Sequence, residues 1–151
     1  MMHKTHVAIA LFVALIFLPS ISEKIVFLPI VLISTFIPDL DSPFSRFGRY
    51  RASKALQVFT KHRGFLHSFT FGVIFSAFLA FFFPITSLAF FLGYSTHILL
   101  DSFTPEGTRP FWPSKRQISW KIKTSSFTEA TLFFSFAFVD VILVLLSIIS
   151  L

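Results

Sequence analysis

The sequence predicts an all-α, polytopic membrane protein, and three observations support that fold class. Of the 151 residues, 54% are hydrophobic and 13% are charged, whereas a typical soluble domain carries about 25% charged residues. The apolar residues form five runs separated by polar segments. The basic residues, which give a net charge of +6, lie in alternate segments between those runs. At this length a single domain over residues 1–151 is expected.

Each apolar run is expected to form one helix of a transmembrane bundle. The runs are Val7–Pro19, Ile25–Pro38, Phe65–Phe83, Ile85–Phe103 and Phe127–Leu151. A helix needs about 20 residues to cross the hydrocarbon core, and the last three runs meet or approach that length. The first two are short, so they form tilted spans or a hairpin. A cleaved secretory signal is the alternative for the first run, but the second run follows at once and favours the hairpin.

The distribution of positive charge predicts the orientation of the bundle. If the chain changes sides at every run or returns through a hairpin, Lys24 is the only basic residue on the far side from the N-terminus. The positive-inside rule then places the N-terminus in the cytoplasm of a multi-pass inner membrane protein. Basic residues between apolar runs are explained by anionic lipid headgroups, and we expect no nucleic-acid partner.

Imidazole and carboxylate side chains gather near the cytoplasmic ends of the predicted spans. They are His6, Asp39, Asp41, His62, His67, His97 and Asp101. Ionisable groups at membrane depth are rare and point to function. His97 and Asp101 are one helical turn apart on one face, and Asp39 and Asp41 point the same way if the chain is extended there. Together these residues predict a metal site at the cytoplasmic ends of the helices.

The ligand types indicate which metals are expected. The chain has no Cys, and neutral imidazoles with carboxylates suit Zn, Mn or Fe. One tetrahedral ion uses four ligands, so two metals are expected, with Zn first. Each of these candidate ligands also has a purely structural explanation. His6 could be an interfacial residue at a helix end, and Asp39 and Asp41 could form turns that end a helix. His97 and Asp101 could be a hydrogen-bonded pair that joins two spans. The convergence of four spans favours the metal.

Residues around this constellation have predicted supporting roles. Thr5 is predicted to cap the first helix, and hydroxyls are predicted to hydrogen-bond the ligands; these are Ser68, Ser95, Thr96 and Ser102. Arg63 and Arg109 are candidates to bind a substrate phosphate, although both also fit the positive-inside pattern. Asp140, within the last run, is expected to hydrogen-bond between helices. Segments Phe44–Lys61 and 111–123 combine aromatic and basic residues, as interfacial segments do.

Four motifs give the chain a resemblance to a known family. They are Thr5-His6, Pro38-Asp39-Leu40-Asp41, His62-Arg63-Gly64-Phe65-Leu66-His67-Ser68, and Gly93-Tyr94-Ser95-Thr96-His97-Ile98-Leu99-Leu100-Asp101. In these motifs the chain resembles the YdjM-like membrane-bound metal-dependent hydrolases, with distant similarity to zinc-dependent phospholipases C and single-strand nucleases. The resemblance extends to about Pro113. It implies that the metal ligands are His6, Asp39, His62, His67, His97 and Asp101. Ala10 stands where the family often has Gly.

The expected function is metal-dependent hydrolysis of phosphoester bonds in a phospholipid or lipid phosphate at the cytoplasmic face. Asp41 and Arg63 are the candidate catalytic residues, and a metal-activated water is the expected nucleophile. Two alternatives stay open: a metal-ion or proton-coupled transporter that uses the same cluster, and a scaffold with a structural metal. Transporters place their sites near the midplane, whereas these ligands gather at one end.

Overall fold

A computed structural model describes residues 1–41 and 65–149, apart from the side chain of Asp41. Within those ranges the chain forms five α-helices and no β-strand, which confirms the all-α prediction. The helices are α1 (His3–Phe17), α2 (Lys24–Ser34), α3 (Phe69–Phe82), α4 (Pro84–Ser102) and α5 (Phe127–Ile149).

Short 3₁₀ helices extend or precede the α-helices and change two local expectations. They are Leu18–Ser20, Ile37–Asp41 and Phe65–His67. Because Ile37–Asp41 is helical, the prediction of an extended chain at Asp39 and Asp41 is wrong. The prediction that Thr5 caps the first helix is also wrong, since α1 begins at His3 and has Met2 as its N-cap.

The start of α3 is set by a side-chain cap. Ser68 has an extended backbone, and its Oγ accepts a hydrogen bond from the Phe71 amide at 3.2 Å, as an N-cap residue does. The third apolar run therefore divides into the Phe65–His67 turn and a helix of 14 residues. Pro84 then opens α4, where a missing N–H costs no helical hydrogen bond.

α4 lies at the centre of the bundle and packs against α1, α2 and α3. The core between α1, α2 and α4 consists of small and large buried side chains, namely Ala10, Ala14, Phe27, Val31 and Ala89. A Cβ added at Gly93 would lie 2.0 Å from the Val31 carbonyl oxygen. The backbones of α2 and α4 are therefore in direct contact, as small residues permit in membrane bundles.

A second core cluster joins α4 to α3 and to the turn before it. It contains Phe90, Tyr94 and Ile98, with aromatic side chains of α3 packed against it. The Tyr94 hydroxyl donates a hydrogen bond to the Leu66 carbonyl. This bond ties the Phe65–His67 turn to α4, so that the segment before α3 lies at a fixed position.

Two helical segments of the described chain are long and apolar enough to cross a membrane, His3–Ser20 and Phe127–Ile149. The first run reaches this length because the Leu18–Ser20 turn continues α1. α3 rises only about 21 Å, less than the hydrocarbon thickness of about 30 Å. α4 has 19 residues, but it is not one of these two apolar helices because it carries polar residues on its buried face. Of the five predicted helices, the first and the last are therefore those that could cross a membrane by length and composition.

Successive helices run in opposite directions from α1 to α4, so alternate ends meet at one end of the bundle. This end of the bundle contains the start of α1, the end of α2, the start of α3 and the end of α4. The contacts among His6, Asp39, His67, His97 and Asp101 show that these helix ends meet. The start of α5 also lies here, because Glu129 accepts a hydrogen bond from the Met2 amide. Residues from every helix or its flanking turn can therefore meet at one site.

Candidate metal centre

Asp101 lies at the centre of a cluster that three histidines form around its carboxylate. Its Oδ1 is 3.1 Å from Nε2 of His6. Its Oδ2 is 3.3 Å from Nε2 of His67 and 3.5 Å from Nε2 of His97. These four residues come from α1, the turn before α3, and α4, so the predicted convergence of distant segments occurs for them.

The spacing of these atoms fits a single metal ion. One ligand atom from each of His6, His97 and Asp101 lies within 4.8 Å of the other two, and all three residues are buried. In a tetrahedral zinc site with bonds of about 2.1 Å, neighbouring ligand atoms are about 3.4 Å apart. The Asp101–histidine separations of 3.1–3.5 Å are close to that value, with Oδ1 facing His6 and Oδ2 facing His67 and His97. Oδ1 also accepts a hydrogen bond from the Met1 ammonium at 3.1 Å.

Unsatisfied nitrogens in the cluster provide a second test of fit. His97 is 1% exposed, and neither of its ring nitrogens has a hydrogen-bond partner among the described residues; Nδ1 of His6 also has none there. Leaving a buried polar group without a partner costs about 1–3 kcal/mol. A cation bound at Nε2 of His97 would remove that cost for this one nitrogen, and a donor set of imidazoles and a carboxylate suits Zn, Mn or Fe.

Ring contacts hold the three imidazoles in place. The His6 and His97 rings are stacked, with centroids 4.2 Å apart and planes inclined by 16°. The His67 ring meets His97 edge to face at 5.4 Å. Nδ1 of His67 lies 3.3 Å from the Pro38 carbonyl oxygen, so a proton on Nδ1 donates there and leaves Nε2 directed at Asp101. Carbonyls commonly orient metal-binding histidines in this way.

Asp39 links the buried cluster to a more exposed imidazole. Its Oδ1 is 3.7 Å from Nε2 of His97, and its Oδ2 is 3.4 Å from Nδ1 of His3. The sequence reasoning did not single out His3. The signal that could have found it is its spacing, since His3 and His6 are three residues apart and lie on neighbouring positions of α1.

Glu129 is a second residue that the sequence reasoning missed. Its side chain is completely buried and accepts hydrogen bonds from the Met2 amide at 2.6 Å, the Ser125 amide at 2.5 Å and the Thr5 hydroxyl at 3.2 Å. Glu129 therefore joins α5 to the first turn of α1, from which His6 extends. Its spacing from Ser126, which accepts a bond from the Glu129 amide, is that of a capping box and was visible in the sequence.

The remaining candidate residues lie elsewhere or outside the described residues. His62, Arg63 and the side chain of Asp41 are outside them, as is the segment Phe44–Lys61. Arg109 is exposed on the loop after α4.

The predicted supporting roles have mixed outcomes. Of the hydroxyls predicted to hydrogen-bond the ligands, Ser68 donates to the Phe65 carbonyl and Ser102 to the Leu99 carbonyl. Oγ of Ser95 has no hydrogen-bond partner among the described residues. Oδ1 of Asp140 has no hydrogen-bond partner in the described part of the chain, so the expected bond between helices is not made by that atom. Trp112 and Trp120 are exposed on the loop between α4 and α5.

Comparison with known proteins gives a family match over almost the whole chain. A family model described as "YdjM inner membrane protein" matches residues 1–150. Curated relatives named "Inner membrane protein YdjM", from Escherichia coli (strain K12) and Shigella flexneri, are each 33% identical over 96 residues. That alignment covers 58% of this chain and 49% of each relative, so the chain spans about half the length of the curated relatives it matches. No solved structure matches.

Proposed function

The chain belongs to the YdjM inner membrane protein family, and from this premise we propose that it is a metal-dependent hydrolase of phosphoester bonds in membrane lipids. The observation that carries the proposal is the buried cluster of His6, His97 and Asp101, whose ligand atoms lie within 4.8 Å of one another. Such a cluster has no use for packing alone, because apolar side chains would fill the same space without buried polar atoms.

The described residues divide into a buried set and a more exposed set. His6, His67, His97 and Asp101 would hold one ion. Asp39 faces both this set and the half-exposed His3, so its two oxygens suit the boundary between two ions. Two Zn ions, or Mn or Fe, fit these ligands, and the chemistry they supply when bound is activation of water and polarisation of phosphoryl oxygens.

The chain's own groups would bind and orient the substrate at the exposed edge of the cluster. Asp39 and His3 form that edge, because their side chains are 18% and 42% exposed whereas His97 and His6 are buried. Arg63 and Arg109 are the candidates to hold the phosphate oxygens, and Asp41 is the candidate to accept a proton from water. In the net reaction a water oxygen joins phosphorus and the leaving alcohol takes up a proton.

A lipid substrate is supported by the position of the cluster along the helices. The ligands come from the first turns of α1, the last turn of α4 and the turns beside α2 and α3. α1 is long enough to cross a membrane, and its first turns would then lie at headgroup depth. The neighbouring loop exposes Trp112 and Trp120 together with basic residues, a composition that favours anionic headgroups. The distribution of Lys and Arg between the apolar runs supports a cytoplasmic position for this end.

Burial of the cluster favours a scaffold with a structural metal as the second candidate function. His97 is 1% exposed, and closed sites with protein ligands are typical of structural metals. Transport is the third candidate. It is less well supported, because the ligands lie at one end of the bundle and transporter sites lie near the midplane.

The test compares Asp101→Asn with Glu106→Gln, two changes of a carboxylate to an amide five residues apart. Glu106 is exposed on the loop after α4, so its variant controls for the loss of one charge. Metal content would be measured in detergent-purified protein, followed by phosphate or headgroup release from phosphatidic acid, phosphatidylglycerol and phosphatidylethanolamine.

We expect about two ions per chain and lipid hydrolysis in the wild type and in Glu106→Gln. In Asp101→Asn we expect bound metal and lipid hydrolysis to be lost together. A metal-loaded wild type that releases no product from any of these lipids contradicts the proposal. If Asp101→Asn then also unfolds, the scaffold is the better explanation. Metal-driven uptake into liposomes by the same preparation would favour transport.

A further inference from the structure

The loop between α4 and α5 exposes large aromatic side chains in a strongly basic setting. Trp112 and Trp120 are 46% and 65% exposed, and Phe111 is 60% exposed. Between residues 104 and 126 the sequence has one acid and five basic residues, all exposed, namely Glu106 and then Arg109, Lys115, Arg116, Lys121 and Lys123. Aromatic surface in water is unfavourable, whereas Trp is enriched where a membrane meets water. The loop therefore has the composition of a surface that contacts both headgroup charge and apolar depth.

Backbone hydrogen bonds give this loop a defined shape. Thr108 and Ile118 exchange two of them, with the Thr108 amide 2.9 Å from the Ile118 carbonyl oxygen and the Ile118 amide 2.8 Å from the Thr108 carbonyl oxygen. The Trp120 amide donates to the Thr104 carbonyl at 3.1 Å. Thr104 and Thr108 are each 1% exposed. The loop thus has a buried side and an exposed side, and folded chain presents the aromatic residues on the exposed side.

Contacts with α3 and α4 place the loop at the end of the bundle that carries the metal centre. The Thr104 hydroxyl donates to the Asp101 carbonyl at 2.8 Å, and the Thr70 hydroxyl donates to the Trp112 carbonyl at 2.8 Å. The Trp112 ring meets the Phe65 ring edge to face, with centroids 4.9 Å apart. α1 starts at this same end and is long enough to cross a membrane. The loop therefore lies at the end of the bundle where a leaflet presents its headgroups.

The position of the loop in the chain favours a lipid surface over other anionic partners. Five positive charges would also attract a nucleic acid. However, the loop continues directly into α5, which begins at Phe127 and is long enough to cross a membrane. Only six residues separate Trp120 from that helix. An anionic leaflet would therefore be the nearest surface that satisfies both the charges and the exposed aromatic rings.

We propose that residues 109–123 form a docking surface for the anionic lipid headgroups of the leaflet at this end of the bundle. Lys115 and Arg116 contact headgroup phosphates, and Trp112 and Trp120 enter the interface beside them. A zwitterionic leaflet accepts the aromatic rings but has no net charge, so attachment of the loop depends on anionic lipid. The lipids bound here are not substrates of the metal cluster, and the proposal requires neither a bound metal nor hydrolysis.

The test uses tryptophan fluorescence, because Trp112 and Trp120 are the only tryptophans of the chain and the signal reports on the loop alone. The full chain would be placed in nanodiscs of phosphatidylcholine with an increasing fraction of phosphatidylglycerol. We expect the emission to shift to the blue, and quenching by brominated lipid to increase, as the anionic fraction rises. Salt at about 1 M, where the Debye length is about 3 Å, should reverse both changes.

Two changes of lysine to glutamine test which charges are responsible. Lys115 is exposed in the loop, and Lys24 is exposed at the start of α2, at the opposite end of the bundle. Lys115→Gln should lower the equilibrium constant for loop attachment about fivefold, the factor for one basic residue near an anionic surface. Lys24→Gln, the matched control, should leave that constant unchanged.

The outcomes separate a charge-dependent docking surface from an ordinary aromatic belt. Emission that is the same in phosphatidylcholine and phosphatidylglycerol nanodiscs overturns the proposal, whether the rings lie in lipid or in water. A response to phosphatidylglycerol that survives unchanged when both Lys115 and Arg116 are replaced by Gln also overturns it. A shift that a single-stranded RNA produces and phosphatidylglycerol does not would assign the loop to a nucleic acid and overturn it as well.

Discussion

Replacing Glu129 by alanine is expected to destabilise the protein and to weaken metal binding at a residue that touches no proposed ligand. The carboxylate accepts bonds from the Met2 and Ser125 amides and from the Thr5 hydroxyl. Alanine leaves all three donors without a partner at a completely buried position. His6 follows Thr5 on α1, so loosening the first turn of α1 moves a ligand of the metal centre.

The size of the effect follows from the three donors. Each buried donor left unsatisfied costs about 1–3 kcal/mol. The two amides are at helix ends, where water can partly replace the carboxylate, so we expect a loss of about 3–5 kcal/mol in the free energy of unfolding. Glu129→Gln keeps one oxygen, which can accept the bonds from the Met2 amide and the Thr5 hydroxyl but not the one from the Ser125 amide, and it should cost about half as much.

The assay is SDS-induced unfolding of the purified protein in mixed micelles, together with metal titration of the folded protein. Glu106→Ala is the control, because Glu106 is exposed and its removal leaves no buried donor. The reasoning is refuted if Glu129→Ala unfolds at the same detergent fraction as Glu106→Ala. If stability falls and metal affinity does not, Glu129 supports the fold of α5 on α1 but does not position His6.

Three further outcomes are expected. Gly93→Ala should destabilise the fold by about 3 kcal/mol or more in the same unfolding assay, since its Cβ would lie 2.0 Å from the backbone oxygen of Val31; Gly72→Ala should cost less, because a Cβ there meets a side chain at 2.9 Å. Added Zn should raise the free energy of unfolding by mass action, by about 2.7 kcal/mol at 100 times the dissociation constant, and the midpoint of thermal unfolding should rise with it. Equal stability with and without chelator would contradict the metal site. His3→Ala should lower the metal content from two ions towards one while the fold and the ion at Asp101 are retained, and unchanged stoichiometry would remove His3 from the site.

The sequence was sufficient to predict which ends of the helices carry the cluster. Apolar runs predict the number and order of helices, and counting one change of side per run assigns His6, His67 and Asp101 to one end. Their separations are not accessible in that way. The distances of 3.1–3.5 Å around Asp101 depend on the rotation of each helix about its axis, which is set by packing such as the contact of Gly93 with α2.

The wrong predictions share a physical cause. Thr5 was assigned a local role as a cap, but its hydroxyl donates to Glu129, which is 124 residues away in the sequence. Asp39 was assigned to extended chain from its neighbouring prolines, but the segment continues from α2 as a 3₁₀ helix. Polar side chains have several local partners of similar energy, so the tertiary contact decides among them, and sequence spacing does not contain that contact.

The two buried acids of α5 differ in how they are held against α1. α5 packs along α1 and exposes most of its remaining surface, so its position relative to α1 depends on a small contact area. Glu129 fixes one end of that contact with two hydrogen bonds, from the Met2 amide and the Thr5 hydroxyl. Asp140, eleven residues further along, has no such bond at Oδ1, and the helices leave a groove there. α5 is therefore fixed to α1 beside the proposed metal ligands and is packed less tightly against it further along.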